Sequence, residues 1–306
     1  MTSKVNWMRG CATALVTPFK GDGSVDEETM RRLVERQINA GVHLLVPCGT
    51  TGESATMSEA EDKGVIALTV EVAKGRAKVI AGAGSNSTAA AIEYSKTARD
   101  VGADAVLQVA PYYNKPTQEG LYAHFRAISQ AVPEMPIMLY NVPGRTSSNI
   151  APQTVLRLAR DCENIVAIKE ASGNLSQIME ILRERPANFA VLSGDDAVTL
   201  PLIALGAQGI VSVASNEAPD LMSQMTNLAL EGKWEDARHM HYRLLPLMEA
   251  NFIESSPGPV KAAMALMGLI EENFRLPLVP VTERSRARVR SVITELGLIE
   301  SESAAA

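Results

Sequence analysis

The sequence predicts a closed (β/α)8 TIM barrel with an appended C-terminal helical layer. Three observations carry that prediction. Eight short apolar or β-branched runs occur before residue 214, and amphipathic stretches separate them. The runs are continuous rather than alternating, as in strands buried on both faces. An open doubly wound sheet generally uses fewer strands and a phosphate-binding glycine fingerprint. The nearest candidate here, Gly82-Ala83-Gly84-Ser85-Asn86, lacks the third glycine.

The elements follow in order. Cys11–Val16 is the first strand. Asp26 then caps a helix whose Met30, Leu33, Val34 and Ile38 share one face. Val42–Pro47 is the second strand, and Ser58 with Glu61 forms a capping box before Val65, Ile66 and Val70. Lys78–Ala81, Ala105–Val109 and Ile137–Asn141 are the next three strands. Pro152 sits where a first helical turn tolerates proline. Ile165–Lys169, Phe189–Ser193 and Gly209–Val213 complete the eight. Gly41, Gly102 and Gly206 fall between a helix and the next strand, where glycine ends a helix. Beyond Gly232, Trp234–Phe252, Pro259–Leu269 and Glu283–Leu296 read as helices with no flexible linker. The expected division is a barrel over 1–231 and a helical layer over 232–306, with Ser301–Ala306 a frayed tail.

Composition narrows the function. With 46% hydrophobic and 21% charged residues, wholesale disorder is excluded. The net charge of −6 disfavours nucleic acid and anionic membrane as partners. Arg284, Arg286, Arg288 and Arg290 read as the solvated face of a late helix. Cys11, Cys48 and Cys162 are odd in number and widely spaced. They suggest neither a disulfide framework nor a zinc site, and a reducing, cytoplasmic location is expected. The uncharged run Ala197–Asn216 is long enough to span a bilayer. Pro201, Gly206, Gln208 and Gly209 divide it into a buried helix and a strand instead. None of the four histidines, His43, His124, His239 and His241, ends a strand, so no metal is expected. Asp195 and Asp196 read as helix N-caps.

Barrels of this class place their chemistry at the C-terminal ends of the strands. Lys169 ends the apolar run Ile-Val-Ala-Ile, which directs its amine into the barrel mouth. Keeping an amine neutral at pH 7 costs about 4.6 kcal/mol, a shift that burial can supply. Such an amine attacks a carbonyl and gives a Schiff base. The other reading is an ion pair with Glu170 or Asp195. Tyr140 ends the preceding strand and can relay protons, or it is a core tyrosine with a satisfied hydroxyl. Thr50 and Thr51, between Gly49 and Gly52, offer hydroxyls and N–H groups to a carboxylate, or make an ordinary turn. Arg145, after Pro143-Gly144, suits bidentate binding of a carboxylate, or a surface ion pair.

Taken together, these motifs resemble the dihydrodipicolinate synthase family, within the N-acetylneuraminate lyase superfamily. The resemblance rests on Gly49-Thr-Thr-Gly-Glu53, Pro111-Tyr-Tyr-Asn114, Leu139-Tyr-Asn-Val-Pro-Gly-Arg-Thr146, Ile168-Lys-Glu-Ala-Ser-Gly-Asn174 and Leu192-Ser-Gly-Asp-Asp196. It runs from about residue 10 to about residue 298. It implies a lyase of lysine and diaminopimelate synthesis that condenses pyruvate with aspartate 4-semialdehyde. Lys169 would form the imine with pyruvate. Tyr140 would act as acid and base, linked to Thr51 and to Tyr113 of a neighbouring subunit. The N–H groups of Thr50 and Thr51 would hold the pyruvate carboxylate. Gly194 and Val211 would line the pyruvate pocket through their backbones, and Arg145 would bind the semialdehyde carboxylate. No cofactor is implied, and a homotetramer of tight dimers is expected. Ser256-Pro-Gly-Pro-Val-Lys261 departs from the family's Asn-Pro-Ile-Pro-Val-Lys.

The family's lysine-feedback site is matched by Ser54, Ala55, Asn86 and Tyr112. Glu59 and Asp62 replace two histidines of the enterobacterial pattern, and Ala90 replaces a glutamate that binds the lysine ammonium. Weak or absent inhibition by lysine is therefore expected. Two other readings remain open. One is a sister aldolase acting on N-acetylneuraminate or a 2-keto-3-deoxy sugar acid. The other is a non-catalytic barrel that senses a small molecule.

Overall fold

Eight parallel strands close on themselves in sequence order, β8 pairing back to β1. They are β1 Gly10–Ala14, β2 Leu44–Val46, β3 Lys78–Gly82, β4 Ala105–Val109, β5 Ile137–Asn141, β6 Ile165–Glu170, β7 Ala190–Ser193 and β8 Gly209–Ser212. The structure is a computed structural model that describes residues 6–300. The predicted frayed tail, Ser301–Ala306, lies outside the described residues.

Helices α1 Glu27–Asn39, α2 Glu59–Ala73, α3 Thr88–Asp100, α4 Gln118–Ala131, α5 Pro143–Thr146, α6 Pro152–Asp161, α7 Leu175–Glu184, α8 Thr199–Ala204 and α9 Pro219–Leu230 follow the strands. The expected caps are present. Asp26 accepts from the Thr29 N–H, and Ser58 and Glu61 form a complete capping box. Gly41, Gly102 and Gly206 all take positive φ.

The second strand is shorter than Val42–Pro47. Pro47 has no N–H to extend the ladder, and Cys48 turns left-handed at φ 56°. Gly82 ends β3 against that turn. A Cβ there would lie 1.9 Å from the Cys48 carbonyl oxygen. Close backbone approach, not phosphate binding, accounts for the glycine.

Side chains of alternate residues fill the barrel, among them Ala12, Leu44, Ile80, Leu107, Met138 and Leu192. The intervening residues meet the helices. A register shift between β5 and β6 interrupts this regularity. Ile137 pairs with Ile165, but Met138 pairs with Ala167, so Val166 is an extra residue in β6.

The uncharged stretch 197–216 resolves into α8, β8 and short 3-10 turns. Among the described residues, no helix is long and apolar enough to cross a membrane. Three further helices cover one side of the barrel: α10 Trp234–Ala250, α11 Gly258–Leu266 and α12 Glu283–Glu295. Leu244, Leu247, Met248, Val289 and Val292 share one core with Cys11 and Ile210 of the barrel. Arg284, Arg288 and Arg290 are exposed, while Arg286 turns back to Glu272.

Candidate active site

A cavity of about 410 Å3 opens at the C-terminal ends of the strands. Thr50, Thr51, Tyr140, Arg145, Lys169 and Gly194 all line it. The register after the Val166 insertion sets Tyr140 directly opposite Lys169. Both point inward, and the Lys169 Nζ lies 4.3 Å from the centre of the Tyr140 ring. Lys169 is buried, yet among the described residues no carboxylate comes within ion-pair distance of its amine. The two carboxylates that could have paired with it are engaged elsewhere. Glu170 faces the helices and accepts from Asn141 and Ser172. Asp195 accepts from the Ala197 N–H, the capping role expected of it.

Asp196 departs from the expectation of a helix cap. Its buried carboxylate accepts from the Ser212 hydroxyl at 2.5 Å and from the Val213 and Ala214 N–H groups. Strand β8 stops there, so its next two N–H groups need an acceptor. Burial raises the Asp196 pKa, and these donors oppose the rise.

Gly194 leaves room for the amine. A Cβ at this position would lie 2.7 Å from the Ala171 Cβ and 3.0 Å from the Lys169 Cε. The turn after β2 supplies Thr51, which is buried, and Thr50, which is exposed. Among the described residues, the N–H groups of both threonines have no acceptor. Two such donors at a cavity wall suit a carboxylate. Pro143 starts α5 and so fixes Arg145 at the mouth, where its Nη2 lies 3.5 Å from the Ser256 carbonyl oxygen.

Val211 is buried inside the barrel with Tyr140 and Leu192 and is not among the lining residues; Val213 is. Tyr113 is 88% exposed with φ 72° and stands outside the cavity. Among the described residues, the Tyr140 hydroxyl bonds to neither Thr51 nor Tyr113. Met248, Glu249, Phe252 and Ser256 from the C-terminal layer also line the cavity. Strand order gives no signal for these four. Only the departure at Ser256 marks the segment. Among the described residues, no cluster of three or more His, Cys, Asp or Glu side chains could hold a metal.

The chain is 55% identical over 299 residues to the 4-hydroxy-tetrahydrodipicolinate synthase of Koribacter versatilis, covering 97% of this chain and 99% of that one. It matches the crystal structure of dihydrodipicolinate synthase from Aquifex aeolicus at 44% identity and TM-score 0.93, over 96% of this chain and 100% of that one. A similar match is to the dihydrodipicolinate synthase of Acinetobacter baumannii complexed with pyruvate, at 44% identity and TM-score 0.93, over 95% and 99% of the two chains. The family model for the dihydrodipicolinate synthetase family matches residues 7–296. Because that match spans the barrel and the C-terminal helices alike, the chain belongs to the dihydrodipicolinate synthetase family.

Proposed function

We propose that this chain condenses pyruvate with L-aspartate 4-semialdehyde to 4-hydroxy-tetrahydrodipicolinate in lysine and diaminopimelate biosynthesis. The observation that carries the reading is Lys169, an amine without a counter-carboxylate against the Tyr140 ring in the barrel mouth.

The chemistry follows from that placement. The Lys169 amine adds to the ketone of pyruvate and loses water to give an imine. The imine draws electrons from the neighbouring methyl group, which gives up a proton and becomes a carbon nucleophile. No cofactor is needed, because the imine is the electron sink. That carbon adds to the aldehyde of the semialdehyde. The substrate's own amine then attacks the imine carbon, closes the ring and frees Lys169.

Tyr140 carries protons in these steps. The N–H groups of Thr50 and Thr51 hold the pyruvate carboxylate, beside Gly194 and, deeper in the barrel, Val211. Arg145 receives the semialdehyde carboxylate. The aldehyde partner of a sister aldolase is a polyol with no carboxylate near its aldehyde and would leave that guanidinium unpaired, which favours the synthase.

Tyr113 projects from the chain and would complete the proton relay of a second subunit. This reading takes a homotetramer of tight dimers, located in the cytoplasm, with a catalytic barrel over 1–231 and a helical layer over 232–306. Borohydride with pyruvate is expected to add mass to a peptide containing Lys169. An unmodified Lys169 in a chain that turns over both substrates would defeat the mechanism.

A further inference from the structure

Behind the reacting pair lies a second pair on the same two strands. Tyr140 and Asn141 are consecutive on β5, and Lys169 and Glu170 are consecutive on β6. Alternation sends the first of each inward and the second outward. Asn141 and Glu170 are register partners and bond through their side chains. The Asn141 Nδ2 donates to both Glu170 carboxylate oxygens at 3.2 Å. We propose that Glu170, held by Asn141, is a positioning residue that keeps Lys169 opposite Tyr140. The proposal rests on the reading of Lys169 as the imine-forming residue.

Glu170 is 1% exposed and, among the described residues, has no cationic partner. A carboxylate in that state is costly unless it is fully hydrogen-bonded. Two apolar side chains could join these strands without that cost, so packing alone does not call for an acid. Among the described residues, the groups that reach Glu170 donate to it. Besides Asn141, they are the Ser172 N–H at 2.8 Å, the Ser172 hydroxyl and the Gln177 Nε2 at 3.3 Å. The orientation of the Asn141 amide is set by the Ile150 N–H, which donates to its Oδ1 at 3.0 Å.

A third amide closes the ring of contacts. The Asn149 Oδ1 accepts from Asn141 at 2.9 Å, and its Nδ2 donates to the Gln177 Oε1 at 2.8 Å. An acceptor-only group with two oxygens is what this set of donors requires. Burial pushes the Glu170 carboxyl pKa up, and the Ser172, Asn141 and Gln177 donors pull it back.

The network sits four residues beyond the inserted Val166, at the C-terminal end of both strands. A slip of one residue there would bring Ile168 to Tyr140 and turn Lys169 away from the cavity. Asn141 and Glu170 bond side chain to side chain only in the observed register.

Glu170→Gln tests this, because its new NH2 must face a donor. The readout is the rate of borohydride-trapped imine at saturating pyruvate, expressed per site that can be trapped. That rate and kcat should fall about 10–100-fold, as for a displaced reacting group. KM for the semialdehyde should stay within about threefold. Glu170→Gln combined with Gln177→Glu returns one carboxylate to the network and should recover at least about fivefold. If Glu170→Gln does not fold, Asn149→Ala is measured the same way, with a fall of about 3–10-fold expected. A purely structural role would lower the number of sites and leave the rate per site unchanged, and that result would overturn the proposal. A wild-type chain that traps no pyruvate on Lys169 would overturn both this proposal and the functional reading. A trapping wild type with unaffected variants would overturn this proposal alone.

Discussion

Lys261 donates to Glu53 over 2.5 Å, and neither side chain reaches solvent. Glu53 ends the turn that presents Thr50 and Thr51, and Lys261 lies on α11 of the C-terminal layer. The same amine donates to the carbonyl oxygens of Thr17 and Asn273. The pair therefore ties the turn at the cavity wall to the C-terminal helical layer. Burial pulls the Lys261 pKa down, and the charge of Glu53 opposes the fall.

Lys261→Met should destabilise the chain by about 3–5 kcal/mol, because it strands a buried carboxylate. Adding Glu53→Gln should restore a large part of that loss. Urea denaturation of the two variants and the wild type checks this. A single variant within about 1 kcal/mol of wild type would mean that the pair contributes little.

Gly194→Ala should slow imine formation at Lys169 by at least about tenfold, since the new methyl meets the lysine side chain. Stability should fall by about 1–3 kcal/mol from overpacking. Borohydride trapping with pyruvate measures the first effect, and a wild-type rate would show that the lysine has another path to the carbonyl.

Arg145→Ala should lower kcat/KM for the semialdehyde by roughly 10–150-fold, corresponding to about 1.5–3 kcal/mol for a lost charge-assisted contact. Imine formation with pyruvate should be nearly unchanged. Equal losses in both steps would remove Arg145 as the anchor of the second substrate.

Asp62 gives a pH dependence with a definite sign. Burial raises its pKa to about 6; the Cys48 contact opposes the rise, and the charges of Glu61 and Glu59 add to it. Its unfolded value is about 3.9, so the unfolded chain releases this proton first. The contribution of Asp62 should therefore make the fold less stable as pH rises from about 4 to about 6 and stay level above that. Asp62→Asn should remove that slope. Denaturant midpoints across this range, with no difference between variant and wild type, would contradict the assignment.

L-lysine should inhibit weakly or not at all. Ala90 offers no acceptor to the ligand's ammonium, and Asn86 is engaged with the Tyr112 carbonyl oxygen at 3.2 Å. An unpaired ammonium costs several kcal/mol to bury. Initial rates against lysine concentration decide this. Half-inhibition below about 1 mM, roughly −4.1 kcal/mol of binding, would show that the site works without a glutamate at position 90.

Much of the site is legible along the chain. Continuous apolar runs reveal buried strands, and a lysine at the end of one must emerge at the barrel mouth, because its own strand carries it there. Thr50, Tyr140 and Arg145 become candidates by the same rule. The role of Lys261 is not legible in that way. Its partner is 208 residues away, and nothing in local spacing links the two.

Sequence by itself determined which residues arrive at the C-terminal ends of the strands, since periodicity and caps are local properties. Tertiary structure decided which of them meet. The inserted Val166 shifts β6 by one residue against β5, so Lys169 rather than Ile168 stands opposite Tyr140. Chain folding also brings Met248, Phe252 and Ser256 to the cavity and leaves Tyr113 outside it. Strand register and the docking of a distant helix depend on packing summed over many residues, and no single stretch of sequence carries that sum.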